Sequence, residues 1–398
     1  MCISRALKTV DLNLYVLALL IGIRLRCKTR ERNKLHLTRT ICICVRALPY
    51  STSTKQPFPH TGVHHPMRVL SSIIGLSASL AFVTNPVQAE TSKPQYVLIS
   101  FDGAHDNKLW TRSRELAKNN NAHFTYFLSC VFLMEKKNRR DYQPPHKRAG
   151  ASNVGFALSH DEVVTRLGNI WQAHLEGNEI ASHGCGHFDG TDWSTADWDK
   201  EIKEFRRITA DAYKNNGIEG EPEGWQELAR HGINGFRAPY LAASKPVQDA
   251  LKSEGFRYQA SSITRGPELP QISGAFASFG LPLIPEGPSQ RLIVGMDYNL
   301  YVRHSKGKEA PAQAAQFEER TYKAFRSAFD KQYNGERIPL QLGFHFVLMN
   351  DGAYWRAMER LVSEVCNKPD VKCTTYNDYL NSIGAPGGSA PESHSQAL

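Results

Sequence analysis

Two histidines four residues apart, His183 and His187, stand in the stretch Glu179-Ile180-Ala181-Ser182-His183-Gly184-Cys185-Gly186-His187. A neutral imidazole nitrogen is the commonest protein ligand for zinc-like ions and needs no counter-charge. A helical turn would put residues i and i+4 on one face, while Gly184 and Gly186 would let the chain turn tightly at a strand end. With 15 His in 398 residues, a surface loop holding two histidines is the bland alternative. The pair gains weight from its company. Asp102, Arg237, Gln259 and His345 each stand at the end of a short run that reads as a strand. Each also has an ordinary reading: Asp102 as a turn or cap residue, Arg237 as a surface ion pair, His345 as a core histidine between Phe344 and Phe346. Five such events in one structural phase point to a single site, because in β/α barrels functional groups gather at the carboxyl ends of strands.

The elements that would position these residues alternate along the chain. Strands are expected over 96–101, 123–128, the run before His183, 235–237, 256–261, 291–294, 340–344 and 373–376. Helices are expected over 107–118, from a Ser159 cap with Glu162 at its third position to about 176, over 247–254, within 312–333 and over 353–365. Trp198, Ile202, Phe205, Ile208 and Ala212 mark one apolar helical face. Residues 262–290 are rich in Pro and Gly and read as a long irregular loop. Regular β/α alternation without an evident internal repeat argues for one α/β domain over 90–383, with parallel strands in a barrel or an open sheet.

Taken together, these motifs resemble the polysaccharide deacetylases of the NodB-homology type, carbohydrate esterase family 4, over roughly residues 95–380. The family's Thr-Phe-Asp-Asp-Gly is similar to Ser100-Phe101-Asp102-Gly103, and its His-Ser/Thr-x-x-His has the spacing of His183 and His187. Arg-x-Pro-Tyr is matched in full by Arg237-Ala238-Pro239-Tyr240, and Leu-x-His is approximated by Leu342-Gly343-Phe344-His345. The resemblance implies a distorted (β/α) barrel of seven or eight parallel strands and a divalent metal, zinc by its donor set. It also implies hydrolysis of N-acetyl groups on an amino-sugar polymer or oligomer such as peptidoglycan, chitooligosaccharide or exopolysaccharide. Carried over residue by residue, it makes His183 and His187 metal ligands and Asp102 the base. Arg237 would orient that base, the Tyr240 backbone N–H would meet the oxyanion, and His345 would be the acid.

The chain also departs from the pattern. The family's second aspartate, its metal ligand, is replaced by Gly103. Asp102 fits the base by alignment and the ligand by chemistry, since a two-histidine site wants a carboxylate. Asp106 could supply that carboxylate or simply cap a helix. Gln259 stands near the place of the aspartate that orients the acid histidine, and a neutral amide cannot raise an imidazole pKa by charge. A same-fold hydrolase of another amide or an O-acetyl ester, and a sugar-binding protein with weakened turnover, are the competing readings.

Charge narrows the function class further. The formal net charge is +9, yet residues 1–89 hold 12 of the 48 basic residues and only two of the 39 acidic ones. From Glu90 onward 36 basic face 37 acidic residues, a net of −1 that gives no reason to expect a nucleic-acid partner. Residues 67–89 read as a secretory signal: Met67-Arg68, an apolar run from 69 to 83, and a small-residue cleavage site ending at Ala89. Export to the periplasm or outside the cell is therefore expected, with translation starting at Met67. A genuine extension or anchor over 1–66 is the alternative, although the apolar run 12–23 is short for a span. Beyond the leader no membrane-spanning run is read, and residues 384–398 read as a disordered tail. Cys366 and Cys373 are expected to pair. Cys130 and Cys185 read as free thiols, Cys185 being also a conceivable ligand.

Overall fold

The structure, a computed structural model, describes residues 93–387. The leader 1–66, the signal segment 67–89 with Cys2, Cys27, Cys42 and Cys44 before it, and residues 388–398 of the expected tail lie outside the described residues; residues 384–387 of that tail are instead ordered, the Ala385 carbonyl accepting Arg257 Nη2 at 3.2 Å.

Strand β1 (Gln95–Gly103) sets the plan, because its side chains divide by parity between two cores. Val97, Ile99 and Phe101 join the large cluster that also takes in Trp110, Ile170 and Phe205 from the helices. Tyr96 and Leu98 join a second cluster made of strand residues and of Tyr376, Tyr379 and Leu380. That second cluster is the inside of a curled sheet, and Ser100 and Asp102 continue on the same face. A strand covered on both faces is nearly all apolar, so the polar residues at the end of β1 stand out.

Helix α1 (Asn107–Asn119) follows, then β2 (Thr125–Leu128), α2 (His160–Leu175), β3 (Glu179–Ser182) and α3 (Thr195–Ala210). Next come β4 (Gly235–Phe236), α4 (Lys245–Ser253), β5 (Tyr258–Thr264), β6 (Gln271–Ser273), β7 (Phe276–Glu286) and β8 (Arg291–Val294). The chain closes with α5 (Asp297–Ser305), α6 (Ala314–Tyr333), β9 (Leu340–His345), α7 (Met349–Val365), β10 (Val371–Cys373) and α8 (Tyr376–Ser382). Strands β1, β2, β3, β4, β5 and β7 are parallel neighbours in that order. On its other edge β1 pairs in parallel with β10 along 95–97 and with β9 along 97–102. A bridge from Met296 to Gly343 brings the chain after β8 against β9, so the sheet curls round on itself. The fold is a distorted (β/α) barrel with eight parallel strands, and β6 and β8 are added antiparallel to β7. No helix of the described residues is long and apolar enough to cross a membrane.

Three expectations are corrected. Residues 262–290 are not a loop: they hold the end of β5, all of β6 and the long β7. The prolines of β7 remove donors without removing acceptors, and Pro282 still takes the Gly295 N–H through its carbonyl at 2.8 Å. Gly280 marks the close approach of β5, since a Cβ there would lie 2.6 Å from Thr264 Cγ2. The expected strand over 373–376 stops at Cys373, because Thr375 caps α8 by accepting the Asp378 N–H at 3.0 Å. The cysteine expectation is half right. Cys366–Cys373 is a disulfide, and so is Cys130–Cys185, which removes Cys185 as a ligand.

Candidate active site

Asp102 and Arg237 form a buried ion pair, Nη1 to Oδ1 2.8 Å, with side chains 4% and 0% exposed. Arg237 follows directly on β4, and every arm of its guanidinium is used. Nε donates to the Ala260 carbonyl at 2.9 Å, Nη1 also to Ser100 Oγ at 2.9 Å, and Nη2 to Tyr376 Oη at 2.9 Å. Its plane lies over the Phe127 ring at 4.3 Å. Burial pushes the Asp102 carboxyl pKa up, but the Arg237 charge is the largest of the influences that more than offset it and hold the group below its ordinary value.

His183 follows β3, its N–H bonded to the Leu128 carbonyl at 2.7 Å. The loop beyond it is a tight turn, not the helical turn that would place i and i+4 on one face, and His187 has a left-handed φ of 55°. Two ties hold this loop. Glu201 of α3 accepts the Cys185 and Gly186 N–H groups at 2.8 and 3.3 Å and the Tyr142 hydroxyl at 2.8 Å. The disulfide to Cys130 is the second tie. The two imidazoles end 5.0 Å apart between centroids. His183 Nδ1 donates to the Arg237 carbonyl at 2.7 Å, which leaves its Nε2 with a lone pair. Burial, the largest influence, pushes its pKa down to about 3, and burial also lowers that of His187. Both rings are neutral at ordinary pH.

His345 ends β9 in register with Asp102 on β1, which puts an imidazole and a carboxylate side by side. Asp297, at the start of α5 and 0% exposed, takes the His345 backbone N–H at 2.8 Å and its Nδ1 at 2.7 Å. Burial opposes the charged imidazole, yet the Asp297 charge and hydrogen bond prevail and raise the His345 pKa. The orienting carboxylate thus comes from Asp297, a residue sequence reading missed. Gln259, expected near that role, is turned onto its own strand. Its Oε1 accepts from Ser261 N at 2.8 Å and its Nε2 donates to Ser262 Oγ at 3.3 Å. The available signal was a lone aspartate, in Met296-Asp297-Tyr298, just past a short strand, the same phase as the other polar residues.

Asp102, His183, His187, Tyr240, Tyr298 and His345 line one cleft of ≈ 710 Å³. A smaller adjoining space of ≈ 200 Å³ is shared by Asp102, His105, His187 and His345. Asp106 lines neither; its Oδ1 caps α1 by accepting the Lys108 and Leu109 N–H groups at 2.8 and 3.0 Å. Two observations bear on a metal. His183 presents a free Nε2, and His187 Nδ1 is buried with no hydrogen-bond partner, so both imidazoles fit as neutral donors. Among the described residues, however, no three His, Cys, Asp or Glu side chains enclose an ion together. The third donor is not in place.

No protein-family model matches the chain, and no curated protein does. Solved structures do match. A protein of Mycobacterium smegmatis described as a polysaccharide deacetylase is 16% identical, covering 77% of this chain and 96% of its own, with a TM-score of 0.45. The Xyl-CE4 domain of a multidomain xylanase from the hindgut metagenome of Trinervitermes trinervoides is 10% identical over 73% and 92% of the two chains, TM-score 0.40. The peptidoglycan deacetylase PdaC of Bacillus subtilis is 12% identical over 73% and 92%, TM-score 0.35. The solved structures it resembles include polysaccharide deacetylases and a pseudoenzyme of carbohydrate esterase family 4.

Proposed function

We propose that this protein is an exported, metal-dependent deacetylase, with zinc as the ion, that hydrolyses N-acetyl groups on an amino-sugar polymer or oligomer. One observation carries the reading. Asp102, whose ionised form is favoured by Arg237, and His345, whose protonated form is favoured by Asp297, are register partners facing one cleft with two further imidazoles. Amide hydrolysis needs a base for water and an acid for a poor leaving group, and a pair of titratable groups whose environments push their pKa values apart supplies both.

A divalent ion on His183 and His187 would polarise the acetyl carbonyl and acidify water. Asp102 accepts the proton of the attacking water as the new C–O bond forms, and Arg237 fixes the carboxylate that does so. The peptide N–H of Tyr240 donates to the developing oxyanion. His345 has its Nδ1 committed to Asp297, so Nε2 delivers the proton to the amine nitrogen as the C–N bond breaks. Acetate and a free amino sugar leave. The exposed rings of Tyr240 and Tyr298, 60% and 51% accessible beside the cleft, suit a sugar face.

Gly103 favours the second reading, a carbohydrate-binding protein with weakened turnover, because it removes a carboxylate from the ion. Acetate release from N-acetylglucosamine oligomers, measured with and without chelator, separates the two. Chelator-sensitive release supports the deacetylase. Binding without acetate release, on N-acetyl and O-acetyl substrates alike, supports the binding protein, and neither binding nor release sinks both. Amino-terminal sequencing from the native cell tests export, which predicts a start near Glu90.

A further inference from the structure

The wall of the large cleft carries two carboxylates, Asp102 and Glu309, and only one of them is matched. Asp102 has the Arg237 guanidinium against it at 2.8 Å. Glu309 lies in the segment joining α5 to α6 and is exposed. Among the described residues no lysine or arginine lines the cleft, so no fixed cation of the wall answers the Glu309 charge. Lys306 and Lys308 stand just before it in the chain, but neither lines the cleft.

Glu309 is held in place from below. Its Oε2 accepts the Asn350 N–H at 2.7 Å, and Asn350 Oδ1 accepts the Ala310 N–H at 2.7 Å. Asn350 is 0% exposed, and its Nδ2 donates to Ser305 Oγ at 3.1 Å and Tyr354 Oη at 3.0 Å. The backbone at that anchor is strained. Asn350, Asp351 and Gly352 are left-handed in succession, with φ of 48°, 55° and 74°, and such a run persists only where its surroundings over-determine it. The strained turn thus fixes one carboxylate at the cleft. Two tyrosines of α5 line the same cleft. Burial and then the Glu309 carboxylate raise the pKa of the Tyr301 hydroxyl, and the exposed Tyr298 ring stands 6.2 Å from the Tyr301 ring. A cation is drawn to the face of a tyrosine as well as to a carboxylate.

We propose that Glu309 is a specificity-determining residue that binds the ammonium of an already deacetylated amino sugar beside the N-acetyl sugar being cut. The inference rests on the deacetylase reading and narrows its substrate to a partly deacetylated chain without carboxylates. Free amines are also the product of that reaction, so each turnover makes the chain a better ligand. A glycan bearing carboxylates finds no lysine or arginine on the wall and is repelled by Glu309.

The test compares wild type, Glu309→Gln and Glu309→Lys at mildly acid pH, with kcat/KM per acetyl group and calorimetric binding as readouts. Gln keeps an oxygen for the Asn350 N–H, and melting checks both folds. The substrates are the fully acetylated N-acetylglucosamine tetramer and the same tetramer with half its amines free; the fully deacetylated tetramer is the binding ligand. Wild type should favour the half-free tetramer about fivefold, with the preference shrinking as salt is added. Glu309→Gln should bring the ratio to about one, and Glu309→Lys should reverse it. No preference in wild type, or a preference that survives Glu309→Gln, overturns the inference and leaves the deacetylase standing. Acetate release from neither tetramer overturns the deacetylase reading. Glu309 then keeps its ammonium site if Glu309→Gln binds the deacetylated tetramer about fivefold more weakly than wild type, and loses it if the two bind alike.

Discussion

Two carboxylates inside this barrel are buried alike and behave in opposite ways. Asp102, at the carboxyl end of β1, is 4% exposed; Glu179, at the amino end of β3, is 8% exposed. They differ in their hydrogen bonds. Glu179 accepts from Tyr258 Oη at 2.8 Å, Thr125 Oγ1 at 2.9 Å and Asn377 Nδ2 at 2.6 Å. Every one of those donors is neutral, and burial raises its pKa to about 7. Asp102 has the Arg237 guanidinium against it, and its pKa falls. Neutral donors satisfy a carboxylate's lone pairs, whereas a fixed cation also favours the charge itself. The two networks meet where Tyr376, bonded to Arg237, stacks on Tyr258, bonded to Glu179, at 5.2 Å. One end of the barrel favours a charged carboxylate, the other a neutral one.

The sharpest way to break the comparison is Asp102→Asn. It should lower kcat/KM by about 10²–10⁴-fold, the usual worth of a general base. It also strands a buried guanidinium, at a cost of about 3–5 kcal/mol. Acetate-release kinetics and denaturant melts read the two effects, and near-wild-type turnover would remove Asp102 from the mechanism.

Glu179→Gln tests the opposite carboxylate. The folded pKa of Glu179 lies above its unfolded value of 4.5, so the folded state holds that proton more tightly. Its contribution is fully present below about pH 4.5 and is lost as pH rises to 7, in all about 3 kcal/mol. The variant should lack this slope and be more stable than wild type at pH 8. Melts at pH 5 and pH 8 with equal wild-type stability would contradict the contrast.

Asp297→Asn moves the acid. Asp297 raises the His345 pKa, so its loss should shift the basic limb of the pH–rate profile to lower pH and reduce kcat about 10–100-fold. An unmoved limb would mean that His345 does not carry the transferred proton. The smallest effect belongs to Asp106→Ala, which should cost about 1 kcal/mol as a lost helix cap and leave metal content and kcat/KM unchanged.

What was legible in the sequence was local. Asp102, His183, His187, Arg237 and His345 could be placed because each ends or follows a short strand-like run; β/α alternation left a barrel and an open sheet open, and the family resemblance implied the barrel. Asp297 and the Cys130–Cys185 bond were not legible, for they join partners 48 and 55 residues apart that only the curled sheet brings together. Strand β7 was hidden by its own prolines and glycine, which composition reads as loop but which sit where the ladder tolerates them. Asp106 misled for the converse reason, since a carboxylate four residues from Asp102 is close in sequence yet pointed at a helix end.

The disulfide from Cys130 to Cys185 has a practical consequence. It crosses the short loop between the two histidines, so their spacing is completed by an oxidation event and not by folding alone. On the proposed deacetylase reading, strong thiol reductant should lower acetate release, since it leaves the histidine loop to the Glu201 hydrogen bonds alone. Restoring oxidant before adding zinc should recover the lost turnover, whereas adding zinc under reductant should not.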